Sequence, residues 1–242
     1  MIHPYFNQVK EILDKVEIEE AKKLEQAAEK ICEAFQHDGV VHLFGSGHSH
    51  ILTEEVYYRA GGLVPIHPIF HEPLMLHEGA ICSSELERKS GYAKTFMEEQ
   101  DIRENDVMIV ISTSGRNPVP IETALLSKEK GAFVIGLSSH VYAEGQTSRH
   151  VSGKFLHEVV DVGIDNHIPV GDALLTNENV SVGFAPGSTT VGASILNAMM
   201  AEAISRMVEK GITPPVFLSG NVDGADKHNY VLMEKYSHRI RF

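Results

Sequence analysis

The sequence has few of the features of a secreted or membrane-spanning protein. Only two cysteines, Cys32 and Cys82, occur among 242 residues, and they show no CxxC spacing. Two thiols are too few for a disulfide framework, which favours a reducing cytoplasm. No apolar run approaches the ~20 residues that cross a bilayer. The segment Met1-Ile2-His3-Pro4 leads directly into charged, helix-forming sequence without an apolar signal region, so we expect a cytoplasmic protein with no membrane partner.

Positive charge is also scarce. The chain has 21 Lys and Arg against 33 Asp and Glu, for a formal net charge of −12. Proteins that bind nucleic acid need clustered Lys and Arg against the phosphate backbone, so the acidic excess argues against a nucleic-acid partner. The excess does not exclude a small anionic ligand, because a helix N-terminus can bind an anion locally.

Length and composition favour one α/β domain. A hydrophobic content of 43% can bury a sizeable core, and no internal repeat, linker or low-complexity tract divides the chain. We therefore expect one domain over residues 1–242, with a helical extension at 1–36 and the sheet core and C-terminal tail at 37–242. Residues 4–36 carry apolar side chains at helical spacing, with a break near Glu17 to Glu20. Such an N-terminal helix packs either on its own domain or on another subunit, and the sequence leaves both open.

Short apolar runs alternate with helical segments along the rest of the chain. Strands are predicted at residues 40–44, 64–70, 106–111, 132–137 and 157–163, and helices at 51–60, 90–100, 118–130 and 191–210. Pro65 and Pro68 make the second strand irregular or an edge. The Pro- and Gly-rich residues 214–229 are predicted to form a surface tail. This alternation is typical of a doubly wound parallel sheet, which binds ligands outside the carboxyl ends of its strands.

Two of the predicted strands run into turns rich in glycine and serine. Gly45-Ser46-Gly47-His48-Ser49-His50 follows the first strand, and Ser112-Thr113-Ser114-Gly115-Arg116-Asn117-Pro118 follows the third. Asn and Pro are a good N-cap and N1 pair for a helix, and backbone N–H groups, helix dipole and hydroxyls together can bind an anion. The first turn has histidine where a dinucleotide-binding GxGxxG needs its third glycine, so a nucleotide-binding protein is disfavoured. From these residues alone, the second turn is either a phosphate cradle or an ordinary serine-containing connection.

Four segments in this order resemble the sugar isomerase (SIS) family of phosphosugar-binding proteins. They are residues 45–49, residues 111–117, residues 165–173, and Ser188-Thr189-Thr190 before an alanine-rich helix. The resemblance covers essentially the whole chain and is strongest to the stand-alone, phosphoheptose isomerase-like branch. It implies a five-stranded parallel sheet in flavodoxin-like order, a phosphosugar at the carboxyl edge, and a homodimer or homotetramer. No helix-turn-helix domain precedes residue 40, which counts against the transcription regulators of the family.

The resemblance also implies which residues bind the ligand. In SIS proteins an S-x-S-G-x-T loop holds the phosphate, which maps onto Ser112 and Ser114, with Asn117 standing where threonine is commoner. The full set expected at the phosphate and sugar is Gly45, Ser46, Gly47, Ser49, Ser112, Thr113, Ser114, Asn117, Ser188 and Thr189. Ser188, Thr189 and Thr190 either form an N-cap cluster at the start of their helix or line the site, in that case from the neighbouring subunit. Asp165, Asn166 and Asp172 follow the fifth predicted strand, where they bind sugar hydroxyls or cap the next segment.

SIS enzymes open the sugar ring and move a proton next to a carbonyl, which requires a carboxylate or histidine in contact with the substrate. The candidates for this role are Glu55, His48, His228 and Glu72. Glu54 and Glu55 lie one turn beyond the first glycine turn. The alternative is that both lie on a solvent-exposed helix face and have no role in the site. His48 and His50 flank that turn and are either catalytic or structural. His228 is included because SIS enzymes often complete their sites with a C-terminal histidine or lysine.

Two functions remain open at this stage. One is an enzyme that isomerises a phosphorylated sugar, or acts as a lyase or deaminase on an amino-sugar phosphate. The other is a sugar-phosphate sensor that keeps the loops without the chemistry. The several acid–base candidates favour the enzyme. His71-Glu72 and His77-Glu78 fit no standard zinc spacing, so neither a metal nor a cofactor is expected.

Overall fold

Five parallel strands form the central sheet of the computed structural model, which describes residues 1–242. The strands are β1 (Val41–Gly45), β2 (Ile66–Pro68), β3 (Val107–Ile111), β4 (Phe133–Ser138) and β5 (Val162–Asp165). Their spatial order is β2-β1-β3-β4-β5, with every neighbouring pair parallel. This is the flavodoxin-like order. The predicted fold class is therefore confirmed, with β2 as a short edge strand.

Helices cover both faces of this sheet. They are α1 (Ile2–Glu19), α2 (Ala21–Gln36), α3 (His50–Glu55), α4 (Ala80–Glu87), α5 (Lys94–Met97), α6 (Pro118–Glu129), α7 (Tyr142–Gly145), α8 (Ser188–Glu209) and α9 (Ala225–Tyr236). Alternate residues of β3 face opposite layers: Ile109 packs in a core with α2, α3 and α8, and Met108 packs in a core with α5 and α6. Burial on both faces explains the continuous apolar run of this strand. No helix combines the length and the apolar character that a membrane span requires.

The N-terminal helix packs on its own chain. It is divided at Glu20, inside the predicted break, and both halves contact α8. Ala27, Ala28 and Ile31 of α2 are fully buried, and α2 also contacts β3 and β5. Of the two alternatives left open by the sequence, the structure shows the contact within the chain.

The fifth strand lies later than predicted. Residues 157–163 were expected to form it, but Leu156–Glu158 is a 3-10 turn and β5 begins at Val162. The Glu158 carboxylate accepts a hydrogen bond from the Phe155 N–H at 2.7 Å, which closes the turn. The β-branched pair Val159-Val160 favoured a strand, but Val159 is buried beside this turn instead.

The C-terminal region is folded rather than a surface tail. Val216 forms an antiparallel bridge with Leu63, and α9 follows at Ala225–Tyr236. Tyr236 and Ile240 are buried in a small core with Val40, Val64 and Phe217. The helix was missed because only Ala225 and Tyr236 of it are buried, so it lacks a clear apolar stripe. A two-stranded antiparallel hairpin, β6 (Leu175–Asn177) and β7 (Val180–Phe184), was also missed.

Candidate functional site

The two glycine- and serine-rich turns lie side by side at the carboxyl edge of the sheet. β1 and β3 are neighbours in parallel register, and Gly45 at the end of β1 pairs with Ile111 at the end of β3. The turns that follow them therefore emerge next to each other, as the sequence predicts. α8 begins at the same edge, since Gly192 near its start packs directly on Leu52 of α3.

The turn at residues 112–117 is fixed through its backbone. The Gly115 N–H donates to the Ser112 carbonyl at 3.0 Å, and Gly115 has a φ of +56°. A Cβ at Gly115 would lie 3.2 Å from that of Ser138, so the turn approaches β4 closely. The hydroxyls of Ser112, Thr113 and Ser114 form no hydrogen bond within the chain, although Ser112 is only 3% exposed. They are therefore free to donate to a ligand.

The N-terminus of α6 is poor in backbone donors. Asn117 occupies the N-cap position, as predicted, and its backbone is extended. Its side chain does not cap the helix, because its Oδ1 accepts a hydrogen bond from Arg149 Nη1 at 2.8 Å. Pro118 and Pro120 lack the N–H groups that usually point at an anion. Arg149 therefore brings a positive charge to a helix end whose own donors are few.

Arg149 belongs to a cluster of three arginines near this turn. Its backbone N–H donates to the Arg116 carbonyl at 2.8 Å. Partial burial lowers the pKa of the Arg149 guanidinium, and the positive charges of Arg116 and Arg88 lower it further. Glu87 acts in the opposite direction. These like charges repel one another, and a bound anion would relieve that repulsion.

The turn at residues 45–50 is equally constrained. A Cβ at Gly45 would lie 2.4 Å from the Ser49 carbonyl oxygen, and Gly47 has a φ of +55°. The His50 ring is buried and hydrogen-bonded through Nδ1 to the Gly47 carbonyl, so His50 stabilises the turn. His48 is exposed, and Ser46 is 5% exposed.

A glutamate that the sequence analysis did not single out contacts this turn. The Ser46 Oγ donates a hydrogen bond to Glu87 Oε1 at 3.0 Å. Glu87 ends α4, in a charged segment that carries no local motif. The two residues are 41 positions apart in the chain, so no local pattern reveals the contact. Arg88 and Arg149 were missed as ligand-binding candidates for the same reason.

The structure does not bring all the predicted catalytic residues together. The Glu55 carboxylate accepts hydrogen bonds from Arg59 and from Asn197 of α8, at the far end of α3 from the turn. His228 is hydrogen-bonded to the Val216 carbonyl at 3.0 Å. Val216 pairs with Leu63, which precedes β2, so within one chain His228 lies at the amino edge of the sheet.

Glu72 lies on the segment that follows β2 over the carboxyl edge. It begins a 3-10 turn at Glu72–Leu74 and is exposed. The same segment brings the His77 ring to 6.4 Å from the His50 ring, beside the first turn. No group of three or more His, Cys, Asp or Glu residues converges in an arrangement that could hold a metal ion.

The polar residues after β5 mainly hold backbone segments. The Asp172 carboxylate accepts a hydrogen bond from Ser188 Oγ at 2.6 Å and from the Ser188 N–H at 2.9 Å, which caps α8. Asp165 accepts from the N–H groups of His140 and His167 at 3.1 and 2.9 Å. Ser188 therefore has its hydroxyl already engaged, whereas Thr189 is half-buried beside it. Asn166 is buried, and its Oδ1 accepts from the Ile168 N–H.

Comparison with known proteins identifies the family. The SIS domain family model matches residues 4–139, more than half of the chain. A UPF0309 protein of Halalkalibacterium halodurans is 60% identical over 240 residues, which span 99% of this chain and 96% of that protein. A UPF0309 protein of Caldanaerobacter subterraneus is 43% identical over 244 residues, covering 100% of this chain and 99% of that protein.

Solved structures share the fold at low sequence identity. A phosphoheptose isomerase from Francisella tularensis has a TM-score of 0.53 at 15% identity, covering 84% of this chain and 95% of that one. A Methanococcus jannaschii protein, for which a 3-hexulose-6-phosphate isomerase function was inferred, has a TM-score of 0.50 at 13% identity, covering 95% of each chain. Likeness at these identities concerns the fold, whereas the family model and the close relatives establish membership. The chain therefore belongs to the SIS domain family and, within it, to the UPF0309 proteins.

Proposed function

We propose that this chain is an enzyme that binds a phosphorylated sugar at the carboxyl edge of its sheet. The phosphate would contact Ser112, Thr113 and Ser114, and the sugar would extend towards Gly45, Ser46, Gly47 and Ser49. The reaction would begin with proton removal next to a carbonyl and lead to isomerisation, or to elimination or deamination of an amino-sugar phosphate. A cytoplasmic homodimer or homotetramer is part of the same proposal.

One observation supports the proposal that phosphate binds at this turn. Three serine and threonine hydroxyls without a partner in the chain lie beside an arginine that is held on the adjacent N-cap residue. Hydroxyl donors together with a guanidinium are the groups that bind phosphate in proteins, and a charge-assisted hydrogen bond is roughly twice as strong as a neutral one. The two repelling arginines, Arg88 and Arg116, add to the attraction in a chain whose net charge is −12.

The names of solved structures with this fold support a sugar phosphate as the ligand. The solved structures that share this fold include a protein named a phosphoheptose isomerase and one for which a 3-hexulose-6-phosphate isomerase function was inferred. In both names the substrate is a sugar phosphate. A glycine turn next to the phosphate turn offers backbone groups to a sugar of that size.

The test separates binding from catalysis. Fructose 6-phosphate, a heptulose 7-phosphate and N-acetylglucosamine 6-phosphate would be titrated by calorimetry, with the unphosphorylated sugars as controls. Arg149→Met should weaken binding of the phosphorylated ligands by about 10-fold or more, because a charged hydrogen bond contributes at least about 1.5 kcal/mol. Lys235→Met, which removes an exposed cation on α9, serves as the matched control and should leave affinity unchanged.

Catalysis would be followed as solvent deuterium incorporation next to the carbonyl of each bound sugar phosphate. Incorporation is expected for at least one member of the panel. Tight binding with neither exchange nor product would indicate the alternative, a sugar-phosphate sensor. Equal affinity of the wild type and Arg149→Met for phosphorylated ligands would contradict the proposed phosphate site.

A further inference from the structure

We propose that Glu87 is the acid–base residue of this site and that Ser46 is its positioning residue. The inference rests on the proposed function, because it assigns a role in the conversion of a bound sugar phosphate. It differs from the sequence prediction, which gave that role to Glu55, His48, His228 or Glu72.

The helix α4 packs beside the first ligand turn. This helix contacts both the 3-10 turn Gly47–Ser49 and α6. Its last residue, Glu87, therefore lies at the first ligand turn, on a helix that also packs against the helix following the second turn. The carboxylate is half-buried, and its Oε1 accepts the hydrogen bond from Ser46 at 3.0 Å. Ser46 is nearly inaccessible to solvent, so its hydroxyl is held in place and fixes the orientation of the carboxylate.

The charge of the same carboxylate also acts on the arginine at the phosphate turn. Among the charges that act on Arg149, two are the arginines Arg88 and Arg116, and the one of opposite sign is Glu87. Arg149 is in turn bonded to Asn117 at the end of the phosphate turn. Glu87 thus contacts one ligand turn through Ser46, and its negative charge acts on Arg149, which is bonded to the other turn. A sugar phosphate anchored at residues 112–114 and extending to residue 46 would pass this carboxylate.

The competing groups are less suited to the role. The Glu55 carboxylate is occupied by Arg59 and Asn197, and the His50 ring is occupied by the Gly47 carbonyl. His228 lies at the opposite edge of the sheet in the same chain. Glu72 and His48 are exposed, and neither carries a contact that fixes it towards the sugar.

The chemical step is a proton transfer within the open-chain sugar. One Glu87 oxygen accepts the proton from the carbon next to the carbonyl, and the C–H electron pair becomes the C=C bond of an enediolate. The carbonyl oxygen gains the negative charge. For isomerisation, protonated Glu87 then returns its proton to the former carbonyl carbon and recovers its charge, while a proton moves between the two oxygens. No electrons are gained or lost, and no co-reactant is needed.

The test uses isosteric and shortened side chains at Glu87. General acid–base groups contribute about 10²- to 10⁴-fold, so Glu87→Gln should lower kcat for deuterium exchange at least about 100-fold with little change in KM. Glu87→Asp keeps the charge but shortens the side chain, so it should retain more activity than Glu87→Gln. Glu85→Gln, an exposed glutamate on the same helix, is the matched control and should behave as the wild type. Thermal unfolding of each variant verifies that it is folded.

Ser46 is tested through its effect on kcat rather than on binding. Ser46→Ala should lower kcat about 3- to 10-fold at unchanged KM, and Ser46→Thr, which keeps a hydroxyl, should restore part of the loss. A purely structural role would instead change KM or the unfolding temperature.

Each remaining outcome has a distinct meaning. If the wild type exchanges and Glu87→Gln stays within about 3-fold of it, the role of Glu87 is refuted while the proposed function stands. If Glu55→Gln loses exchange and Glu87→Gln does not, the acid–base residue is Glu55. If the wild type exchanges with no member of the sugar-phosphate panel, the proposed enzyme fails and the inference fails with it.

Discussion

Replacement of Asp106 should test how much a buried ion pair contributes to the stability of the fold. It is 1% exposed, directly before β3. Its Oδ1 accepts hydrogen bonds from the Val40 N–H at 2.9 Å and Arg239 Nη1 at 3.2 Å. Its Oδ2 accepts from Arg239 Nη2 at 2.6 Å, the Arg103 N–H at 2.7 Å and the ring Nε2 of His42 at 3.1 Å. The perturbation is Asp106→Asn, which keeps the shape and removes the charge.

The size of the effect follows from the burial of both partners. The Arg239 side chain is 2% exposed, so the variant leaves a guanidinium buried without its counter-charge. Removing one partner of a buried ion pair costs about 3–5 kcal/mol. Both carboxylate oxygens accept hydrogen bonds, so the NH₂ group of asparagine would lie against N–H donors in either orientation. We expect a loss of about 4 kcal/mol, which for a chain of this size lowers Tm by about 8–16 °C.

The assay is urea unfolding at pH 7, with a control that has the same arginine as its partner. Asp101 Oδ2 also accepts a hydrogen bond from Arg239, at 3.0 Å, but the Asp101 side chain is 50% exposed. Asp101→Asn should therefore cost less than about 1 kcal/mol. Equal losses of unfolding free energy for Asp101→Asn and Asp106→Asn would refute the reasoning, because burial would then not determine the cost.

The pH dependence gives a second readout for Asp106. Burial opposes its ionisation, but the hydrogen bonds from His42, Arg239 and Val40 outweigh burial and hold the pKa of the carboxyl well below its usual range. A lowered native pKa stabilises the fold fully above the unfolded value of ~3.9, and the stabilisation is lost as pH falls below it. The difference between the wild type and Asp106→Asn should therefore shrink below about pH 4. A constant difference down to pH 2 would contradict this explanation.

Three further predictions concern other positions. Burial is the main cause that lowers the pKa of His67 to about 4, so the wild type should lose stability as pH falls from ~6.5 to ~4. His67 can contribute at most about 1.4 kcal/mol per pH unit to this loss, and His67→Gln should reduce it in urea unfolding at a series of pH values. Gly45→Ala places a Cβ against the Ser49 carbonyl and should weaken sugar-phosphate binding about 10-fold or more by calorimetry. Asp172→Ala removes the carboxylate that caps α8 and should lower the free energy of unfolding by about 1–3 kcal/mol.

The sheet could be predicted because its signal is local. Residues 107–111 are an apolar, largely β-branched run that is buried on both faces. Gly115 and Gly131 have positive φ in the connections before and after α6, where a turn is expected from sequence. The fifth strand was displaced because Val159-Val160 has strand propensity, while the deciding interaction is the Glu158 carboxylate on the Phe155 N–H. The α9 helix was missed because few of its residues are buried, so its sequence carries little helical periodicity in apolar residues.

The candidate site could be predicted only in part, for a similar reason. The two turns follow strands directly, so their residues could be assigned to the carboxyl edge from sequence. Glu55 was chosen by its spacing from the first turn, but its carboxylate is held by Asn197, which is 142 positions away. Glu87 reaches Ser46 across 41 positions, and Arg149 reaches Asn117 across 32. Contacts of this range depend on how α4 and the segment after β4 pack, which no single-turn motif specifies.

The composition of α6 explains why these distant residues matter. Pro118 and Pro120 remove two of the backbone donors with which a helix N-terminus ordinarily binds an anion. The Asn117 side chain binds Arg149 and does not cap the helix. At the proposed phosphate site, the negative charge would then be met by side chains, namely the free hydroxyls of the turn and the guanidinium of Arg149. Substitution of Arg149 should therefore weaken phosphate binding more here than at a site where the helix supplies its full set of N–H groups.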